Sequence, residues 1–169
     1  MPQEEVHRMK LDLGCGRNKV EGAIGVDVNK DSAADVICDI EESLPFKDDV
    51  FDEIYCRHTI EHVGHLIRLM EELHRVGKNK AEVFVTAPYY ASGAAFTDPT
   101  HRRFITEHTF DCFTGARCTF YTKSRFTINK VSYRYGIIPR IFFFIPKFLF
   151  RRFLFNSTHD ISFELEVIK

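Results

Sequence analysis

Five short apolar runs punctuate the first 90 residues of the chain, at 9–13, 23–28, 36–38, 50–56 and 83–87, each of strand length, rich in Val or Ile and bounded by Gly, Asp or Pro. Runs that are apolar throughout belong to strands buried on both faces, and such strands form parallel sheets covered by their crossovers. Between the fourth and fifth runs Leu66, Leu69, Met70, Leu73 and Val76 recur at helical spacing, and Gly77 follows where a left-handed helix cap would sit. This pattern predicts an α/β fold on a doubly wound, Rossmann-like sheet.

After Pro88 the pattern changes. Residues 89–106 carry Gly, Pro, Asp, Thr and His without a period and read as a long loop, which inside a compact domain is usually functional. A short helix is expected from Thr106 as N-cap to about Gly115. Residues 126–135 and 161–168 alternate apolar and polar positions, which predicts two strands able to pair antiparallel. An insertion, 137–155, separates them. At 169 residues the chain has room for one domain, 1–169, with the insertion inside it.

The first run leads into Leu11-Asp12-Leu13-Gly14-Cys15-Gly16-Arg17-Asn18. Two glycines one residue apart after a strand permit a tight turn and let a ligand approach the backbone at the carboxyl end of the sheet. Lys19 stands where the dinucleotide fingerprint needs its third glycine, which counts against a nicotinamide or flavin enzyme. Asp12 sits in the first run, Asp27 ends the second and Asp39 the third. Three successive strand ends therefore offer carboxylates along one edge, and carboxylates accept hydrogen bonds from an ammonium, a ribose diol and an exocyclic amine.

With these pieces in order, the sequence resembles the class I S-adenosylmethionine-dependent methyltransferases of the small single-domain type. The resemblance rests on Leu11 to Gly16, Gly25-Val26-Asp27, Asp39-Ile40 with Leu44-Pro45-Phe46, Phe51-Asp52-Glu53-Ile54, His58-Thr59-Ile60-Glu61-His62, Glu72-Leu73-His74-Arg75-Val76 and Val83 to Pro88. It implies a seven-stranded sheet with an antiparallel last strand, and S-adenosylmethionine as cofactor. It further implies that Gly14, Cys15 and Gly16 underlie the methionine part, that Asp12 helps hold its amino group, and that Asp27 and Val28 meet the ribose. Asp39 would meet the adenine amine while Ile40 packs on the ring, and Arg57 and His58 would close the methionine side. Only seven residues separate Gly16 from Ile24, too few for the usual crossover helix, so that helix must be vestigial. Arg17 or Lys19 would then supply the positive charge its N-terminus normally offers a carboxylate.

Methyl transfer from a sulfonium needs positioning, exclusion of water and at times a general base, for which histidine is suited at neutral pH. His101, in Asp98-Pro99-Thr100-His101-Arg102, and Tyr89 lie on the loop expected to cover the acceptor, so both are candidates beside His58. His62 begins a helix, with packing and capping as its expected role. The five cysteines, Cys15, Cys38, Cys56, Cys112 and Cys118, lack C-x-x-C spacing and read as buried free thiols, and no metal site is expected.

Charge divides the chain: residues 1–100 hold 11 Lys+Arg against 19 Asp+Glu, whereas 101–169 hold 12 against 5, with 13 of the 17 phenylalanines. Basic residues interleaved with phenylalanine, without a recognition motif, point away from nucleic acid and toward a small-molecule or lipid-linked acceptor. The insertion has 13 Ile, Leu or Phe in 19 residues, four Lys or Arg and two prolines, a pattern that argues against a membrane span. On a helix Arg140, Lys147 and Arg151 would align, suiting peripheral contact with an anionic membrane. The alternative is that its phenylalanines cover the sheet or form a homodimer interface. The polar, acidic start lacks the pattern of a signal peptide, so a cytoplasmic location is expected. The competing functional class is a non-catalytic, cofactor-binding pseudo-methyltransferase serving as a partner subunit.

Overall fold

The computed structural model describes residues 8–115, 120–137, 141 and 144–169. Each apolar run forms a strand: β1 (Lys10–Leu13), β2 (Ala23–Asp27), β3 (Val36–Ile37), β4 (Phe51–Arg57) and β5 (Gly77–Pro88). The two alternating segments form β6 (Arg125–Tyr135) and β7 (Thr158–Ile168). The seven strands make one sheet in the order β3-β2-β1-β4-β5-β7-β6. Strands β1 to β5 pair parallel, and β7 inserts antiparallel between β5 and β6. Chain order runs outward from β1 to β3, then returns to β4 on the other side of β1. The switch point between β1 and β4 is where such sheets open a crevice at their carboxyl ends.

Helix α1 (Leu66–Val76) buries Leu66, Leu69, Met70, Leu73 and Val76, the stripe seen in the sequence. These residues share one core with Leu11, Leu13, Ile54, Cys56, Val83, Val85, Phe163 and Leu165. Each such side chain withdrawn from water contributes about 1.5–3 kcal/mol. Gly77 does not cap α1 in the left-handed region: at φ −74 and ψ 138 it is extended and begins β5 directly. Glycine is needed there for close approach, because a Cβ would lie 2.9 Å from the Leu73 carbonyl oxygen.

The sheet is less covered than its apolar runs suggest. Segments 14–22, 28–35 and 38–50 join strands without a helix. One face packs on α1; the other carries Glu82, Phe84, Thr86, Ser162, Glu164 and Glu166, all half-buried. The missing first crossover helix is replaced by carboxylates. Asp12 accepts from the Val20 N–H at 2.8 Å, Asp27 from the Gly16 N–H at 2.8 Å, and Asp35 from the Gly25 N–H at 2.7 Å while pairing with Lys19. The first two bonds satisfy backbone donors of the short crossover itself, and the third a donor of β2.

The long loop contains a short helix, α2 (Ala94–Thr97), and a bridge between Tyr89 and Ile105. In place of the expected helix from Thr106 there are turns and one 3-10 turn, Asp111–Phe113, which buries Phe113 beside Phe110. In the insertion, α3 (Lys147–Phe153) buries Phe150, whereas Phe144, Phe148, Phe153 and Phe155 stay exposed. Arg151 lies over the Tyr133 ring at 4.1 Å and Lys147 over Tyr135 at 5.5 Å. Two of the three cations expected to align on one face are thus engaged by β6. Arg140, Phe143 and Cys118 lie outside the described residues. No helix among the described residues is long and apolar enough to cross a membrane.

Candidate functional site

The crevice forms where β1 and β4 end. Gly14, at φ +62, lets the chain leave β1 against Thr59, whose Oγ1 would sit only 2.5 Å from a Cβ at that position. Thr59 donates to the Leu13 carbonyl at 3.0 Å and locks the β4 end against the glycine turn. Gly16 is also left-handed, at φ +53, and nothing lies within 4 Å of where its Cβ would be. Gly14 is therefore required by protein packing, while Gly16 faces open space that a ligand can fill.

A cavity of about 380 Å³ is lined by Gly14, Asp27, Val28, Asp39, Ile40 and Glu41, closed by His58, Thr59, His62 and Val63. A second, of about 460 Å³, is lined by Gly14, Cys15, Gly16, Arg17, Asn18, Arg57, His58 and Thr86. They share Gly14 and His58, so they form the two arms of one crevice. Asp27 offers Oδ1 to the Asn29 N–H at 2.8 Å besides Oδ2 to Gly16, and Asp39 accepts from the Glu41 N–H at 2.9 Å. Asp39 lies two residues beyond β3 rather than at its last position.

Asp12, Arg17 and Lys19 separate. Asp12 is buried beneath the crevice, with Oδ2 receiving Val20 N–H and Arg57 Nη2, each at 2.8 Å, while Oδ1 has no hydrogen-bond partner. It holds the loop and orients Arg57, which also donates to the Asn18 carbonyl at 2.6 Å. Lys19 is committed to Asp35, with both carboxylate oxygens within 2.8 Å. Arg17 and Arg57 are the cations that line the second arm. Burial pushes the Cys15 thiol up, helped by the nearby Asp12 and Asp27 carboxylates, so it is a packing residue and not a nucleophile.

His58 is the hinge of the site. It follows β4 with φ +52, a conformation costly for a residue with a Cβ, and is held by its N–H donating to the Thr86 carbonyl at 2.7 Å. Its Nδ1 stands 3.5 Å from Glu61 Oε1, and this carboxylate raises the imidazole above its ordinary pKa. Beyond His58 opens a third cavity of about 900 Å³, lined among others by Glu61, His62, His101, Arg134, Asn156 and Asp160. His101 is there as expected. Tyr89 is not: it is 2% exposed, donates to Glu107 at 3.0 Å and lines a separate cavity with Leu149 and Arg151. Burial pushes its phenol pKa up, which removes it from acid–base work near neutrality.

Sequence reasoning missed Glu61 as a site residue and gave His62 a packing and capping role at the start of a helix, whereas α1 begins at Leu66. The segment carrying His101 is pinned to them from a distance: Arg102 N–H donates to the Glu61 carbonyl at 2.8 Å and Arg103 Nε to the Val63 carbonyl at 2.9 Å. The signal in the sequence was Arg103, whose guanidinium can fasten the loop; the Arg102 contact is made by its backbone N–H.

A family model described as a methyltransferase domain matches residues 11–85. No curated protein matches the chain. Among solved structures, a SAM-dependent methyltransferase from Archaeoglobus fulgidus is similar at 20% identity and TM-score 0.63, covering 95% of this chain and 86% of the other. A putative methyltransferase from Bacillus halodurans C-125 is similar at 13% identity and TM-score 0.64, covering 95% and 92%. The [4+2]-cyclase SpnF has the same fold at 15% identity and TM-score 0.63, covering 95% and 74%. These likenesses are of fold.

Proposed function

We propose, from the premise that this chain carries a class I S-adenosylmethionine-dependent methyltransferase domain, that it transfers a methyl group to a small apolar or lipid-linked acceptor held in the cavity beyond His58. The observation that carries this reading is the continuity of three cavities through His58, with carboxylates on one arm, cations on the other and histidines beyond.

The residues present fit the cofactor. Asp27 would hold the ribose hydroxyls, with exposed Val28 beside it, and Asp39 the adenine amine with Ile40 against the ring. Gly14, Cys15 and Gly16 would underlie the methionine portion. Arg57 and Arg17 would neutralise its carboxylate, replacing the absent helix N-terminus. Bound there, S-adenosylmethionine supplies a methyl group on a sulfonium, open to in-line displacement in which sulfur keeps the bonding electron pair. His58 sits where the crevice meets the acceptor cavity and His101 lines that cavity, so either can take the proton an oxygen or nitrogen acceptor releases.

The acceptor class is supported by an exposed aromatic cluster near the cavity. Exposed Phe96 lies 4.6 Å from Phe104 and 6.0 Å from Phe155, ring centre to ring centre. These rings adjoin Ala94, Thr97 and Asn156, which line the cavity. An exposed aromatic cluster on chain neighbours of the cavity lining supports a hydrophobic acceptor over a nucleic acid.

Calorimetric titration with S-adenosylmethionine, S-adenosylhomocysteine and NADH tests the cofactor reading: the first two should bind and the third should not. Transfer of radiolabelled methyl groups to a panel of lipid-linked and soluble apolar acceptors tests the rest. Binding of the cofactor without transfer to any acceptor, even from a lipid extract, would favour the partner-subunit reading.

A further inference from the structure

The third cavity contains a buried carboxylate with no hydrogen-bond partner. Glu61 is 2% exposed and neither of its oxygens has a hydrogen bond. The nearest basic group, His58 Nδ1, is 3.5 Å from Oε1. Buried polar groups are nearly always hydrogen-bonded, so a carboxylate that lines a cavity without a bond is a candidate to bind a cation there.

Two imidazoles stand ready to share one. Single donor atoms from Glu61, His62 and His101 all lie within 4.8 Å of one another. The tautomer of each ring follows from its other partner. Thr100 Oγ1 gives its only proton to Asp98 at 2.6 Å, so at the 2.8 Å contact with His62 it must accept, and His62 Nδ1 carries the hydrogen. His101 Nδ1 is 3.0 Å from the Ala95 carbonyl, which can only accept, so it carries a hydrogen too. Both rings are left with a free lone pair on Nε2. Metal-binding histidines are typically held this way, the distal nitrogen fixing ring and tautomer. The Asp98–Thr100–His62 relay is a carboxylate acting through a hydroxyl.

We propose that Glu61, His62 and His101 form a binding site for a divalent first-row transition ion. Two imidazole nitrogens and one carboxylate oxygen suit Zn²⁺, Fe²⁺, Co²⁺ or Mn²⁺ in preference to Mg²⁺ or Ca²⁺, which favour all-oxygen shells. Tetrahedral donors about 2.0–2.1 Å from an ion lie about 3.4 Å apart, so donors within 4.8 Å of one another would have to draw together by at most about 1.4 Å to hold it. The remaining positions would face the cavity. On the methyl-transfer reading, the ion could hold an acceptor hydroxyl beside His58 and lower its pKa; that role rests on the proposed function, whereas ion binding does not.

The test uses the full chain and no cofactor, so its failure is separate from failure of methyl transfer. After chelation and dialysis, Zn²⁺ is titrated calorimetrically and Co²⁺ by visible absorption. One ion per chain is expected, with the d–d bands of low-coordinate Co²⁺ and no thiolate charge-transfer band. His101→Ala and Glu61→Gln should each weaken Zn²⁺ binding at least ~10-fold, and Thr100→Val, which removes only the support to His62, by roughly 10-fold. His108→Ala, at an exposed histidine outside the cluster, should leave it unchanged. Glu61→Gln conserves shape; should it fail to fold by circular dichroism, His101→Ala and Thr100→Val still decide. Absence of stoichiometric binding, or affinity indifferent to His101→Ala, would overturn the proposal.

Discussion

The crevice and the cavity beyond it are built on opposite plans. In the crevice, carboxylates at the strand ends already serve the fold: Asp27 receives the Gly16 and Asn29 N–H groups, and Asp12 receives Val20 and Arg57. In the cavity, Glu61 is buried with no hydrogen bond, and the loop that carries His101 is held from outside by Arg102 and Arg103. The first region is stable before a ligand arrives. The second keeps a buried carboxylate without a hydrogen bond, which is the expected signature of a place where chemistry, rather than folding, set the residue.

That contrast predicts different kinds of damage. The largest effect should come from Gly14→Val, which would force a β-branched residue into the left-handed region and onto Thr59. A cost of ~3 kcal/mol or more in unfolding free energy, with loss of cofactor binding, is expected from urea denaturation and calorimetry. Next, Asp27→Ala should weaken S-adenosylhomocysteine binding by ~2–3 kcal/mol, or about 30–150-fold, and also lower the denaturation midpoint because two backbone donors lose their acceptor. Full affinity in a folded Asp27→Ala protein would remove this residue from the site. By comparison His101→Ala should lower turnover by about 10-fold or more while cofactor affinity and stability stay put. If all three fall together, the cavity is as structural as the crevice and the comparison breaks.

The smallest effect is a pH dependence far from both. Arg75 reaches Glu72, Asp48 and the carbonyls of Leu44 and Phe46, tying the loop before β4 to α1. The Arg75 guanidinium holds the Glu72 carboxyl below its ordinary value of 4.5. Because the folded pKa is depressed, this contribution is complete above the ordinary carboxylate range and is lost as pH falls through the lowered value. Denaturation midpoints should therefore decline less between neutral and acidic pH in Glu72→Gln than in the parent chain, with cofactor affinity at neutral pH unaltered.

How much could be read in advance follows the same division. The Gly14–Gly16 turn and the aspartates at 27 and 39 were legible because each is local to a strand end, and parallel neighbours β1, β2 and β3 bring their ends to one edge. The vestigial first crossover was legible from chain length alone. Its consequence was only half legible: two cations were candidates for one role, and Asp35, sixteen residues from Lys19, took that lysine while Arg17 was left lining the crevice. Tyr89 misled because a residue on the right loop can still point into the core, and only the hydroxyl contact with Glu107 showed that it does.

By itself, the sequence determined the strands and the carboxylates that line one arm of the crevice, since apolar periodicity and turn residues act over a few positions, while the antiparallel last strand was implied by the family resemblance. The tertiary structure alone decided which aspartates serve the fold, left one face of the sheet without a helix among the described residues, and brought His101 beside Glu61 and His62. Those outcomes depend on contacts across about 40 residues, where the partner of a charge is set by which backbone carbonyls and side chains the packed chain leaves within reach.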